Sequence, residues 1–190
     1  MPPAADLTRQ RVIRAALELF TTRGYHDTTT AQIAKKAGVA EGTIYRHFAS
    51  KQQLLNELYR AAQRWAATVI HDAGGGTGDA RARLAAAAQG LVEGAARDPA
   101  VVKLGLLQRL DLELDEESRR SARDLRAGLE RLVAQGKAEA AVRAGAVDIW
   151  AGVWLAVVCY ALEKVVSKDW KPSDASVGLV IEGAWEAIGG

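Results

Sequence analysis

Cysteine is almost absent: Cys159 is the single one among 190 residues. That excludes an internal disulfide and any multi-cysteine metal site. A cytoplasmic, reducing compartment is the expectation. Proline is scarce, with four residues, so little interrupts helix formation. Long apolar runs are missing too. The longest charge-free stretch toward the C-terminus, Ile149 to Leu162, has 14 residues. A bilayer-spanning helix needs roughly 20, so this stretch reads as a buried helix and no membrane partner is expected. The opening MPPAADLTRQ lacks the apolar core of a secretory signal, and none is expected. Val and Ile show no sustained alternation bounded by hairpin turns, which argues against a β-sheet. The three histidines, His26, His47 and His71, are too scattered to predict a metal site. No GxxxxGK[ST] loop, nucleophile elbow or Ser-His-Asp pattern is present, so neither a cofactor nor enzymatic catalysis is expected.

What is present is helix-forming. The chain is 49% hydrophobic and 25% charged, and rich in Ala, Leu, Glu and Arg. The predicted class is all-α with about nine helices. Charge is uneven: residues 1–60 hold nine Lys/Arg against five Asp/Glu, while the rest is slightly acidic and holds all five Trp. Two jobs on one chain are implied. The apolar spacing predicts helices over Thr8–Arg23, Thr29–Ala37, Ala40–Phe48 and Lys51–His71. Five more follow over Asp79–Arg97, Pro99–Leu110, Asp115–Gly136, Ala144–Ser167 and Ser173–Ile188. Thr29 with Gln32, and Ser50 with Gln53, have capping-box spacing. The Gly-rich tract after Ala73 reads as a connector.

Thr28 to Lys51 is the informative segment. A short helix carries Ile33, Ala34 and Ala37 on one face, Gly38 supplies a tight turn, and a second short helix carries Ile44 and Phe48 inward. Ala34 lets the two cross closely. Gly42, Thr43, Tyr45 and Arg46 are left facing outward. This pattern is a helix-turn-helix, whose second helix can enter the DNA major groove.

The same residues closely resemble the TetR family of bacterial transcription regulators. The matching features are Thr28, Thr29, Ile33, Ala34, Ala37, Gly38, Val39, Gly42, Thr43, Tyr45, His47, Phe48 and Lys51, together with Leu19-Phe20 and Arg23-Gly24-Tyr25 upstream. The likeness covers about residues 8–58. One departure is Ala40, where the family often places a capping Ser. The resemblance implies an N-terminal helix-turn-helix three-helix domain over 1–50 and a helical ligand-binding and dimerisation domain over 51–190. It also implies phosphate contacts from Thr28 or Thr29, Tyr45, His47 and Lys51, and base contacts from Glu41, Gly42 and Thr43. Simple physics is compatible with these roles. Lys51 sits at a helix start, where its own dipole disfavours a cation, so an external anion would account for it. Gly42 lets DNA come close, and Thr43 offers a hydroxyl or a methyl. Arg46 is left open between reading guanine and neutralising phosphate.

For the remainder, the resemblance implies a small-molecule effector, unidentified, and a homodimer through the last two helices. Helices apolar nearly all round must be covered on all sides, and Trp150, Val157, Val158, Val177, Ile181 and Trp185 are the candidate dimer residues. Trp65, Leu104, Leu107, Leu125, Leu129, Trp154 and Cys159 are the candidate ligand residues, with core filling as the plainer alternative. Their composition favours an apolar or aromatic effector. Asp111, Glu113, Asp115, Glu116 and Glu117 either attract a cation or form a solvated helix start. Cys159 is a redox sensor or an inert buried thiol. The expected function is a repressor that binds a palindromic double-stranded operator and is released by its effector. An activator, a corepressor-dependent regulator, an architectural DNA binder without effector, and an enzyme using the C-terminal cavity are the alternatives.

Overall fold

The computed structural model describes residues 4–110 and 112–190. Asp111 of the acidic cluster lies outside them. Among the described residues the regular elements are α1 (Ala4–Thr22), α2 (Thr30–Ala37), α3 (Glu41–His47), α4 (Lys51–Gly74), α5 (Ala80–Arg97), α6 (Pro99–Val102), α7 (Glu116–Ala138), α8 (Val147–Val166) and α9 (Ala175–Glu186). No strand interrupts them; an isolated bridge joins Val142 to Gly189. The chain is all-α, as its composition predicts.

Local signals set most helix ends. Thr29 and Gln32 form a complete capping box at the start of α2. Ser50 caps α4 through the Gln53 amide N–H at 3.0 Å, but the Gln53 side chain reaches the Ala49 N–H rather than that of Ser50. Asp79, Asp98 and Asp115 accept bonds from the first turns of α5, α6 and α7. These side chains satisfy amide groups that a helix start leaves without partners. Gly38 ends α2 in the left-handed region, at φ 65°. A Cβ there would also lie 2.6 Å from the Arg11 guanidinium, which donates to the Gly38 carbonyl at 3.0 Å.

One predicted helix is corrected. The segment from Pro99 does not continue as an α-helix to Leu110. After Val102 it widens into a π-helical turn over Lys103–Leu107 and then leaves helical geometry. An extra residue in that turn rotates every side chain after it. Gly105 sits where α4 passes closest: a Cβ on it would lie 2.6 Å from the Ala62 Cβ.

Two apolar cores meet along α4. The first gathers Val12, Ala16 and Phe20 of α1, Ile33 and Ala37 of α2, Ile44 of α3, and Leu54, Leu55 and Leu58 of α4. The second joins the far half of α4 to α5, α7, α8 and α9 around Leu91, Leu129, Trp154 and Leu162. Alanine-rich α5 allows close packing: Gly94 lies so near Trp65 that a Cβ would fall 2.0 Å from its ring. Leu104, within the π turn, and Leu110 and Leu114, beyond it, belong to the first core. Thus Leu104, Leu110 and Leu114 pack on the N-terminal unit, while Leu106 and Leu107 pack against the second core.

The C-terminus is tied back. Arg143 donates to the carbonyls of Glu186 and Gly189 at 2.8 Å. These bonds fix α9 against the loop before α8. α8 is long and apolar enough by composition to cross a membrane. One side of it, with Ala151, Trp154, Val158, Ala161, Leu162 and Val165, is closed within the second core.

Candidate nucleic-acid interface and interior cavity

α3 is seven residues long, and its two sides differ completely. Ile44 is 0% exposed and the following Phe48 1%, which anchors it on α1 and α2. Glu41, Gly42, Tyr45 and Arg46 are exposed, with Thr43 and His47 half-buried. A Cβ built on Gly42 meets no atom within 4 Å, so the surface there is open to an incoming surface. Among the described residues Arg46 has no carboxylate within ion-pair reach. Its charge faces water.

The outer face is braced from α2 by a residue the motif did not single out. Thr30 donates its hydroxyl to Glu41 at 2.5 Å, and its oxygen lies 3.1 Å from the Tyr45 hydroxyl. The one Thr30 proton goes to the carboxylate, so Tyr45 is the donor in the second bond. The sequence signal was only a third consecutive threonine.

One expected phosphate contact is corrected, and the reason given for a second does not hold. Thr28 is 0% exposed; its hydroxyl donates to the Gly24 carbonyl at 2.7 Å, which closes the turn after α1. It is a core residue. Lys51 does not lack partners either. Its ammonium donates to the carbonyls of Tyr25 and Thr28, each at 2.8 Å, and stands 4.1 Å over the Tyr25 ring. Burial lowers its pKa, against the pull of Asp27 in the other direction. An external anion is therefore not needed to explain a lysine at this helix start. Thr29, by contrast, is exposed at the α2 N-terminus.

The described members of the acidic cluster are spent on the protein itself. Glu113 pairs with His26 at 2.7 Å, Arg60 with Asp115 at 3.1 Å and Glu117 at 3.4 Å, and Arg123 with Glu116 at 2.6 Å. Burial alone would raise the Asp115 carboxyl, but hydrogen bonds from Ser118 and Arg60 outweigh it and hold the group below its ordinary value. Among the described residues no three His, Cys, Asp or Glu side chains converge as a metal-binding group.

The C-terminal unit holds a small cavity of about 150 Å³ between α4, α5, α7, α8 and the π turn. Leu125 and Leu129 line it, as expected of ligand residues. The other candidates do not. Leu104 is buried in the first core and Trp154 in the second, where each is packed on all sides. Leu107 and Cys159 pack against the second core without reaching the cavity. Trp65 instead lines an open cleft of about 1200 Å³ between α1 and α4–α6. The residue missed was Gln63, a polar side chain on the inner stripe of α4. It is 2% exposed and donates to the Gly105 carbonyl at 2.6 Å.

The cavity wall is mechanically joined to the N-terminal unit. Beyond the π turn, Gln108 donates to the Phe20 carbonyl at 3.3 Å. Gln52 and Asn56 both donate to the Glu113 carbonyl, at 3.1 and 3.0 Å.

Of the candidate dimer residues, Val158 and Val177 are each 1% exposed. They face this subunit's own core and are corrected accordingly. Trp150, Val157, Ile181 and Trp185 are half-buried. The outward stripe consists instead of Ile149, Gly152, Ala156 and Tyr160 on α8, with Gly178 and Leu179 on α9.

Comparison with known proteins bears on both units. Residues 12–58 match the family described as bacterial regulatory proteins, tetR family. The transcriptional regulator SrpR of Pseudomonas putida is 48% identical over 59 residues, 31% of this chain and 28% of that protein. The chain thus matches well under two thirds of that relative's length. TcmR of Streptomyces glaucescens, also a transcriptional regulator, extends the likeness: 31% identity over 173 residues, covering 86% of this chain and 73% of that one. The Bacillus subtilis regulator FadR, whose crystal structure contains stearoyl-CoA, superposes with a TM-score of 0.72 at 22% identity, covering 93% of this chain and 97% of that one.

Proposed function

The chain belongs to the TetR family of bacterial regulatory proteins, and on that premise we propose that it is a cytoplasmic transcriptional repressor. It binds a palindromic DNA operator as a homodimer and releases it when a small apolar or aromatic molecule occupies the C-terminal cavity. The observation that carries this reading is the outer face of α3. Glu41, Gly42, Tyr45 and Arg46 stand exposed on a helix whose other side, Ile44, is wholly buried. A short helix so anchored presents three side chains and the bare backbone of Gly42 to a groove at fixed orientation. Gly42 permits close approach, Thr43 and Glu41 reach base edges, and Arg46 with the exposed Thr29 meets phosphate.

Dimerisation is supported by the outward stripe of α8 and α9. Ile149, Tyr160 and Leu179 are 57%, 48% and 74% exposed, unusual for such side chains. Between them, built Cβ atoms on Gly152, Gly178 and Gly183 meet nothing within 4 Å, so a second pair of helices can approach closely. A two-fold arrangement would set two α3 helices on successive major-groove faces.

Release is supported by the route from the cavity. The π turn that walls it continues into a segment bonded to α1 and α4 at the N-terminal unit. A ligand that alters the turn shifts the population of α3 spacings.

Selection from a random duplex library, followed by an anisotropy titration of the enriched sequence, tests this function. The expected result is a palindrome bound saturably at moderate salt, two subunits per duplex. Arg46→Ala is expected to lower the salt slope by about two per dimer. Failure to enrich any sequence would overturn the reading.

A further inference from the structure

We propose that the interior cavity selects a single aromatic ring bearing one hydrogen-bond donor, a phenol in chemical class, and that Gln63 is the residue that reads the donor. This rests on the effector reading above, and gives it a chemistry.

The argument starts from a mismatch on α4. Asn56 and Gln63 are the buried side-chain amides of this helix, 1% and 2% exposed. Asn56 is satisfied at both ends: its N–H groups donate to Gln52 and Glu113 carbonyls, and its oxygen accepts from the Asp115 N–H at 2.9 Å. Gln63 is satisfied at one end. Its Nε2 donates to the Gly105 carbonyl, while its Oε1 is buried with no partner. A buried acceptor left unpaired costs about 1–3 kcal/mol; Gln108 Oε1 and Arg83 Nε share that state, but of the three residues only Gln63 lines this cavity.

The free end cannot be a disguised donor. The Gly105 carbonyl can only accept, so the amide nitrogen is fixed against it and the oxygen is the end left over. Gln63 also lines the cavity, whose other walls are mostly apolar, including Ile70, Leu91 and Leu129, with Tyr59 and the exposed Arg126 as further polar members of the lining. The occupant must therefore supply one donor to a mostly apolar space.

Size and charge narrow the class. A cavity of about 150 Å³ matches the volume at which an apolar protein cavity accepts one benzene ring. The charged side chain in its lining is Arg126, which disfavours an ammonium as the source of the donor. A neutral hydroxyl on a single ring meets all three conditions.

Calorimetric titration of the full chain with phenol and with toluene, without DNA, tests this. The two ligands share a shape and differ in hydroxyl against methyl. Phenol is expected to bind at least about tenfold more tightly, because toluene leaves the Gln63 oxygen unpaired. Gln63→Met, similar in length, should abolish that preference while toluene still binds. Ala66→Leu, which fills the cavity floor, should abolish the binding of both. Equal affinities, or a preference that persists in Gln63→Met, would overturn the proposal. If Gln63→Met does not fold, the phenol–toluene ratio and Ala66→Leu decide between the same two results. Failure here is separable from failure of the regulator reading. An operator complex released by some other molecule, with no phenol preference, removes this inference alone. A chain that enriches no DNA sequence but prefers phenol through Gln63 removes only the regulator.

Discussion

The Lys51 ammonium lies 4.1 Å above the Tyr25 ring and donates to the Tyr25 carbonyl at 2.8 Å. With its second bond, to Thr28, it staples the loop after α1 to the start of α4. A basic side chain at the edge of a DNA-binding unit is thus a structural clamp.

A stability effect follows from that clamp. Lys51→Met keeps the stem but leaves the Tyr25 and Thr28 carbonyls without their charged donor. The expected cost is about 2 kcal/mol, in line with hydrogen bonds from charged groups. Urea denaturation reads it directly. The salt slope of operator binding should stay unchanged in the folded variant. A slope reduced by about two per dimer, with unchanged stability, would restore Lys51 as a phosphate contact.

Thr30 makes the opposite case, a side chain whose loss spares the fold. Its hydroxyl fixes Glu41 and Tyr45 on the outer face of α3. Thr30→Val keeps the shape and removes both bonds. Operator affinity is expected to fall about tenfold, the equivalent of one hydrogen bond of about 1.4 kcal/mol. The urea midpoint should move little. Anisotropy and denaturation on one preparation separate the two effects.

The N-terminal unit was legible because its signals are local. Thr29 and Gln32 are three residues apart, Gly38 ends its own helix, and the buried positions Ile33, Ala34, Ala37 and Ile44 recur at helical spacing. What stayed hidden depends on partners far along the chain. The carbonyls that hold Lys51 lie 26 and 23 residues before it. α8 is apolar nearly all round, so its pattern has no phase, and Val158 could not be told from Ile149 as the inward residue. The π turn adds a residue to a helix without a warning Pro or Gly pair. Side chains beyond it, Leu110 among them, then pack on the first core rather than on the second.

Burial disfavours the Cys159 thiolate, and the effect on its chemistry can be timed. Burial, with a smaller push from Glu163, raises its pKa to about 11 from 9.0. The two-unit gap gives a thiolate fraction about a hundredfold smaller than in the unfolded chain at pH 8. A disulfide reagent at that pH should label native protein about a hundredfold more slowly than denatured protein. The sign for stability follows. The folded state holds this proton more tightly, so its contribution is complete below pH 9 and declines as pH rises toward 11. Labelling at equal rates would contradict the burial of Cys159.

The outward stripe of α8 and α9 yields the most decisive test of assembly. Leu179 is 74% and Ile149 57% exposed, so neither supports the subunit's own core. Changing both to Glu should leave helicity and the urea midpoint of the isolated subunit nearly unaltered. If these faces pair between two copies, four carboxylates are brought into one apolar contact, and unpaired charge there is strongly unfavourable. Sedimentation should then show a monomer for the double variant and a dimer for the parent chain. Operator affinity should fall far more than in any single α3 variant, because the second reading head is lost from every complex. Thr30→Val, by comparison, weakens each head but keeps both. A double variant that still sediments as a dimer would move the subunit contact to another face.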